Sequence, residues 1–336
     1  MNTNSKFEVD FVILWVDGND PDWRKELIEA RRNANRDSDS SEIRFRDWEN
    51  LRYWFRGVES FAPWVRRIHF ITWGHLPKWL DTSHPKLNIV RHEDILKEEY
   101  RPTFNSNVIE LNIHRIEGLA EHFVLFNDDT FLCHESSIDD YFSKEGLPRD
   151  MARLSLVQPS SVGHTIYNVL SLINTRYPRK EINRNIWKWI NLKYGLSNIL
   201  KSLTLLPWSF FPGFYDHHMP QAYLKSRFEE AWGVWHKELE RACHNHLREL
   251  SDLSHWLIRY DTLVRGDFSP RRFSDCRLFT LDDGSLEEIC SAISEKRYRM
   301  LCLNDGENIS NFEQCKERVI NSFNAILPTA SSYEKL

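Results

Sequence analysis

Apolar and polar positions along the chain fall into blocks whose periods predict its elements. Val9 to Val16 is a near-continuous apolar run that predicts a buried strand, closed by the turn residues Asp17-Gly18-Asn19-Asp20-Pro21. Trp48, Leu51, Phe55, Val58 and Phe61 recur at spacings of three and four, a helix that Pro63 ends. Arg67 to Trp73 alternates as a strand, Leu87 to Val90 reads as another, and Gly74-His75-Leu76-Pro77 between them predicts a turn that exposes His75. Asn107 to Ala120 places Val108, Leu111 or Asn112, and Ile116 on one helical face. Phe123 to Phe126 then runs straight into Asn127, Asp128 and Asp129, as a strand buried on both faces does. Strand, helix, strand, strand, helix, strand predicts an α/β fold, a largely parallel central sheet flanked by helices.

Beyond Tyr141 the pattern weakens. Leu154 to Gln158 reads as a strand, and a long amphipathic helix carries Ala222, Phe228, Trp232, Trp235, Leu239 and Ala242 on its buried stripe. Arg299 to Gly306 is a second short apolar run ending in a polar Asn-Asp turn, followed by a helix bearing Phe312, Cys315, Val319, Phe323 and Ile326. Asn33 to Glu42, rich in Ser and Asp, is expected to be a surface loop. We divide the chain into an α/β core (1–158), a basic aromatic helical insertion (159–215) and a C-terminal part that completes core and site (216–336).

Composition narrows the function. The net charge of −5 and pI near 6.3 leave no electrostatic footprint for nucleic acid. Charge is nonetheless uneven: Arg176, Arg179, Lys180, Arg184, Lys188, Lys193 and Lys201 face almost no acid and alternate with Tyr177, Trp187, Trp189, Trp208, Phe210, Phe211 and Phe214. Such a segment suits an anionic polymer or membrane surface, and equally a helical subdomain with a solvated basic face. The six cysteines form no CxxC pair and read as reduced, buried thiols. No signal peptide opens the chain and no apolar run nears the roughly 18–20 residues of a membrane span. A cytoplasmic protein, peripheral to the inner face of the membrane at most, is the expectation.

The sharpest chemical signal is Asp128-Asp129. Two adjacent carboxylates repel unless a cation or solvent relieves them, and ligands of α/β sheets gather at carboxyl ends of strands. A hard divalent cation, Mg²⁺ or Mn²⁺, is the expected companion. Asn304-Asp305 follows a similar run and could join it, although a plain turn explains it as well; the same holds for Asp17. His217-His218 reads as one catalytic histidine or a structural one, since adjacent residues seldom reach one ion. His244 and His246 read as surface residues. Phosphate-cradling glycine loops and a Gly-x-Ser-x-Gly elbow are absent, which disfavours P-loop kinases, Rossmann dehydrogenases and serine hydrolases.

Four blocks in order resemble the Stealth family of sugar-phosphate transferases. They are Asp10 to Pro21; Arg44 to Phe142, with Leu51-Arg-Tyr53, Ala62-Pro-Trp-Val65, Pro77-Lys-Trp-Leu80, Pro102-Thr-Phe-Asn105, His114-Arg-Ile-Glu-Gly-Leu119 and Phe126-Asn-Asp-Asp129; His218-Met-Pro220 with Arg248 downstream; and Cys302-Leu-Asn-Asp305. The blocks cover about two-thirds of the chain and leave out 160–215. The family often has Asn where Asp17 stands.

The resemblance implies a nucleotide-sugar-transferase-like fold and transfer of a sugar 1-phosphate from a nucleotide diphosphate sugar, UDP-linked, to an acceptor glycan, building a capsule or exopolysaccharide. It implies catalytic roles for His218 as base, Arg248 as phosphate clamp and Asp128 and Asp129 as metal ligands, with Asn304 and Asp305 completing the metal site. Asp17, Asn105, His114 and Arg115 become candidates for binding the donor. Partners would be the donor, the growing polysaccharide, and a membrane or capsule-assembly surface reached through 160–215. Two readings compete: a metal-dependent glycosyltransferase that releases UDP, and a noncatalytic glycan-assembly protein that kept the fold.

Overall fold

The structure is a computed structural model and describes residues 7–34, 46–158 and 162–335. The loop expected at Asn33–Glu42 falls, from residue 35 on, outside the described residues. Among the described residues ten strands follow in order: β1 Val9–Leu14, β2 Ile68–Thr72, β3 Leu87–Arg91, β4 His122–Phe126, β5 Thr130–Leu132, β6 Arg149–Asp150, β7 Gln221–Leu224, β8 Ser269–Pro270, β9 Cys276–Leu281 and β10 Met300–Asp305. The main sheet runs β3-β2-β1-β4-β7, parallel except for β7 at the edge. β1 pairs with β4 so that Ile13 lies opposite Phe126, which brings the chain leaving both strands to one rim. This is the α/β architecture read from the sequence.

Strand alternation sorts side chains onto two faces. Phe11, Ile13, Val124 and Phe126 face a core with helix Leu51–Phe61, helices Leu286–Ser294 and Phe312–Ile326, and a second sheet of order β5-β10-β9. Val12, Phe123 and Leu125 face the other core, under helices Gly163–Arg176, Lys225–Val234, His236–Cys243 and Trp256–Arg265. Each such side chain, fully buried, stabilises the fold by roughly 1.5–3 kcal/mol. Gly57 permits the close crossing of helix Leu51–Phe61 over β5: a Cβ there would lie 2.8 Å from the Leu132 carbonyl oxygen.

Four expectations are corrected. The helix predicted from Ala222 begins only at Lys225, because Gln221–Leu224 pairs along the free edge of β4 and buries alternate residues; the helix also breaks at Trp235. The helix expected over 107–120 ends at Leu111, where the Asn112 amide bonds back to the Val108 carbonyl and a 3₁₀ turn follows. Leu154–Gln158 forms no strand and contributes a single bridge, Leu154 to Phe214. His75 is not exposed: its Nε2 accepts the Asp17 N–H at 2.7 Å. The basic segment carries helices at Gly163–Arg176, Arg179–Ile182, Ile186–Trp189 and Leu196–Leu203, and 204–215 is turn and irregular chain. All six cysteines are buried and free.

Candidate active site

Asn127, Asp128 and Asp129 form the joint between the two larger sheets. β4 ends at Phe126 and β5 begins at Thr130, and the turn between is held by Thr130, whose N–H and hydroxyl both bond the Asn127 carbonyl. The Asp129 carbonyl accepts the Leu303 N–H at 2.8 Å, tying the turn to β10. Asp128 reaches solvent, yet crowding by protein and then the adjacent Asp129 charge push it up to about 7.

His218 arrives from a distant part of the chain. Its Nε2 lies 3.3 Å from Asp129 Oδ2 and 3.1 Å from the Asn127 amide nitrogen. That nitrogen can donate to Asp129 when protonated and accept from the amide when not, so both states have a partner. The Asp129 hydrogen bond, outweighing burial, raises His218 above its ordinary value.

The neighbouring His217 turns the other way. Its Nε2 meets Asp150 Oδ1 at 3.0 Å, and Arg259 grips the same carboxylate at 2.7 and 3.0 Å while reaching Asp216 at 3.0 Å. Burial opposes the Asp150 charge, but Arg259 and His217 outweigh it and hold its carboxyl well below the usual range. Burial pushes His217 down to about 4 and Asp216 up to about 6. This buried cluster anchors the segment from which His218 projects, which divides the two histidines into one structural and one facing the aspartates.

Asp17 lies on the same rim, beyond β1. Its carboxylate accepts the Asn19 N–H at 2.8 Å, and Asp20 caps the helix that starts at Pro21. Asp47, not singled out in the sequence, is the link: it feels the charge of Asp17, and Asp128 feels that of Asp47. Burial lifts Asp47 above its usual range.

Arg248 sits exposed beside Ser106, 3.3 Å from its hydroxyl. Both Arg248 and His218 fall within the field of Glu110, a buried carboxylate that burial raises and these two cations counter. Glu110 also lies 3.7 Å from His255. It was legible only as an acid inside the apolar stretch Val108–Leu111. Asn105 is fully buried and does not face the rim: it caps helix Ser106–Leu111 and its amide bonds Asp252 and the carbonyls of Asn245 and Leu247, so it positions the loop that carries Arg248. His114 packs on Phe228 and Trp232, Arg115 covers Trp232, and burial drives His114 down to about 4. Neither has a described contact with Asp128, Asp129 or His218.

Alternation along β10 separates the Asn-Asp pair. Cys302 points at Asp129, its Sγ 3.4 Å from Oδ2; exposed Asn304 shares that face, and Asp305 lies on the other, 3.7 Å from Arg46. Among the described residues, Asp129, His218 and Cys302 form the group whose ligand atoms lie within 4.8 Å of one another. A divalent cation fits here on two counts. Asp129 Oδ1 is buried without a hydrogen-bond partner, and Asp128 is a carboxylate whose charge is disfavoured until a cation relieves it. Burial, then the Asp129 charge, keep the Cys302 thiol protonated, so it serves as a donor to Asp129. The carboxylate oxygens of Asp128 and Asp129 suit Mg²⁺ or Mn²⁺ better than a thiolate-bound metal, with His218 beside them as the hydrogen-bond partner of Asp129.

The chain is similar to known proteins along nearly its whole length. Residues 7–34 match the model of Stealth conserved region 1, and residues 44–150 that of conserved region 2. The chain is 40% identical over 332 residues to a capsular polysaccharide phosphotransferase of Streptococcus pneumoniae, covering 98% of each chain. It is 36% identical to an exopolysaccharide phosphotransferase of Lactiplantibacillus plantarum (100% of this chain, 98% of the other) and 35% to a receptor polysaccharide phosphotransferase of Streptococcus gordonii (97% and 99%). A galactosyltransferase structure superimposes loosely, with a TM-score of 0.39 and 9% identity over 96% of this chain and 98% of the other. With near-complete coverage by such relatives, the chain belongs to the Stealth family of polysaccharide phosphotransferases.

Proposed function

We propose that the protein transfers a sugar 1-phosphate from a nucleotide diphosphate sugar, UDP-linked, to a hydroxyl of an acceptor glycan, extending a capsule or exopolysaccharide through phosphodiester bonds. The observation that carries this reading is the pairing of His218 with Asp129 at a carboxylate-rich rim, with Arg248 in the field of the same buried Glu110. The names of the relatives support it.

The acceptor oxygen attacks the sugar-bearing phosphorus. The bond from that phosphorus to the bridging oxygen breaks, and its electron pair leaves with the nucleoside monophosphate. His218 takes the hydroxyl proton, and the imidazolium so formed has Asp129 as its partner. Arg248 forks the oxygens of the transferring group, as a planar guanidinium does well. Asp128 and Asp129 would hold Mg²⁺ or Mn²⁺, which when bound would neutralise the diphosphate and the departing phosphate. Asp17 and Asp47 line the approach to the donor.

The test is the identity of the released nucleotide. Incubation with UDP-sugars, Mn²⁺ or Mg²⁺ and acceptor glycan should release UMP and add a sugar phosphate to the acceptor mass. Release of UDP would replace this reading with a glycosyltransferase using the same aspartates. A noncatalytic assembly role would leave both nucleotides unreleased and polymer synthesis intact in cells expressing His218→Ala.

A further inference from the structure

Helix Leu196–Leu203 is built inside out. Leu196, Leu200 and Leu203, spaced to share one face, are 74%, 63% and 42% exposed, while Ser202 is fully buried and its hydroxyl accepts the Leu154 N–H at 3.1 Å. Leu192, one turn before, is 83% exposed, and the packed ring pair Trp208 and Phe210 is half exposed just beyond. An aliphatic face of this kind costs free energy in water and marks an interaction surface.

The charge around it selects the partner. Residues 176–215 hold seven basic side chains against one acid, Glu181, in a chain whose net charge is −5. Lys180, Arg184, Lys193 and Lys201 are exposed, and among the described residues none has an ion-pair partner. Lys188 is different: its ammonium is spent on the Gly266 and Phe268 carbonyls, the latter at 2.7 Å, so it holds the segment to the body. Rows of leucine offer no hydrogen-bond partner to sugar hydroxyls, whereas aliphatic and indole groups framed by cations match the boundary of an anionic bilayer. Among the described residues no helix is long and apolar enough to cross a membrane, which confines the contact to the surface.

We propose that the face formed by Leu192, Leu196, Leu200, Leu203, Trp208 and Phe210 docks the protein on an anionic lipid surface, with Lys193 and Lys201 meeting the headgroups. This is independent of the reaction proposed above.

Flotation with phosphatidylcholine vesicles, with and without phosphatidylglycerol, tests it. The protein should float with the anionic vesicles and be released by high salt. Leu196→Ser with Leu200→Ser, and separately Lys193→Glu with Lys201→Glu, should each lower binding at least about tenfold. Nucleotide release with a soluble acceptor and the melting temperature should stay as in the parent; if the serine variant melts early, the charge variant decides. Failure to bind anionic vesicles, or equal binding by the charge variant, overturns the proposal. So does a dimer in sedimentation that these substitutions dissociate while no vesicle is bound, since the face would then join two copies.

Discussion

His218 Nε2 stands 3.3 Å from Asp129 Oδ2, and the same nitrogen lies 3.1 Å from the Asn127 amide. The ring is thereby oriented without being buried. Replacing it should remove chemistry and leave the fold: His218→Ala is expected to lower kcat by about 10²–10⁴ while moving the melting temperature little, as exposed positions do. Stopped or quenched nucleotide-release assays and thermal melts check the two halves separately.

The cation site makes a prediction that does not depend on turnover. Asp129→Ala should weaken Mn²⁺ binding, measured by calorimetry or the paramagnetic Mn²⁺ signal, by more than the about hundredfold that loss of an outer-shell partner costs. Cys302→Ala should cost no more than about tenfold, because the thiol only donates a weak hydrogen bond to Asp129. Equal loss in both variants would make sulfur a ligand after all. Chelation should stop nucleotide release, and added Mn²⁺ or Mg²⁺ should restore it.

Glu110 couples to both Arg248 and His218. Glu110→Gln should lower kcat/KM about tenfold through lost orientation, with stability kept or raised, because a buried charge disappears. In a double-mutant cycle, Arg248→Ala should cost less on this background than on the parent. Additive losses would separate the two residues.

Two buried histidines should weaken the fold as pH falls, opposed by Asp128 and Asp216, whose raised values of about 7 and about 6 favour the folded protein in acid. Burial holds His217 near 4 and His255 near 3, against an ordinary 6.5. A histidine with a lowered folded value binds fewer protons when native, so stability rises with pH through this range and is lost as pH falls from about 6.5 towards 4. A gap of one pH unit between the folded and unfolded values is worth about 1.4 kcal/mol. The histidine contribution is read by difference: as pH falls from 7 to 5, the melting temperature of His255→Phe should rise relative to that of the parent.

Gly57 tests the joint between helix and second sheet. A methyl group there meets the Leu132 carbonyl oxygen at 2.8 Å, a backbone atom that cannot swing aside. Gly57→Ala should therefore cost about 1–3 kcal/mol by overpacking, read as a lower denaturant midpoint.

Elements whose burial has a period were legible from the residues alone. The runs Val9–Val16 and Phe123–Phe126 are strands because every residue must face one core or the other, and Asp128-Asp129 falls at a strand end for the same reason. Periodicity states that a face is buried and is silent about what buries it. Gln221–Leu224 became a strand because β4 had a free edge, and local pattern could not show that edge. Leu196, Leu200 and Leu203 have the spacing of a buried stripe yet face outward, because Ser202 finds its partner in Leu154. Folding in three dimensions separated His217 from His218: Asp150 and Arg259 draw one inward, and Asp129 receives the other. It likewise brought Glu110, Asp47 and Cys302 to the site, and it turned Asn105 into a buried anchor. These assignments rest on contacts between residues far apart in the chain, where the energy of a pairing depends on the fold that closes the loop between them.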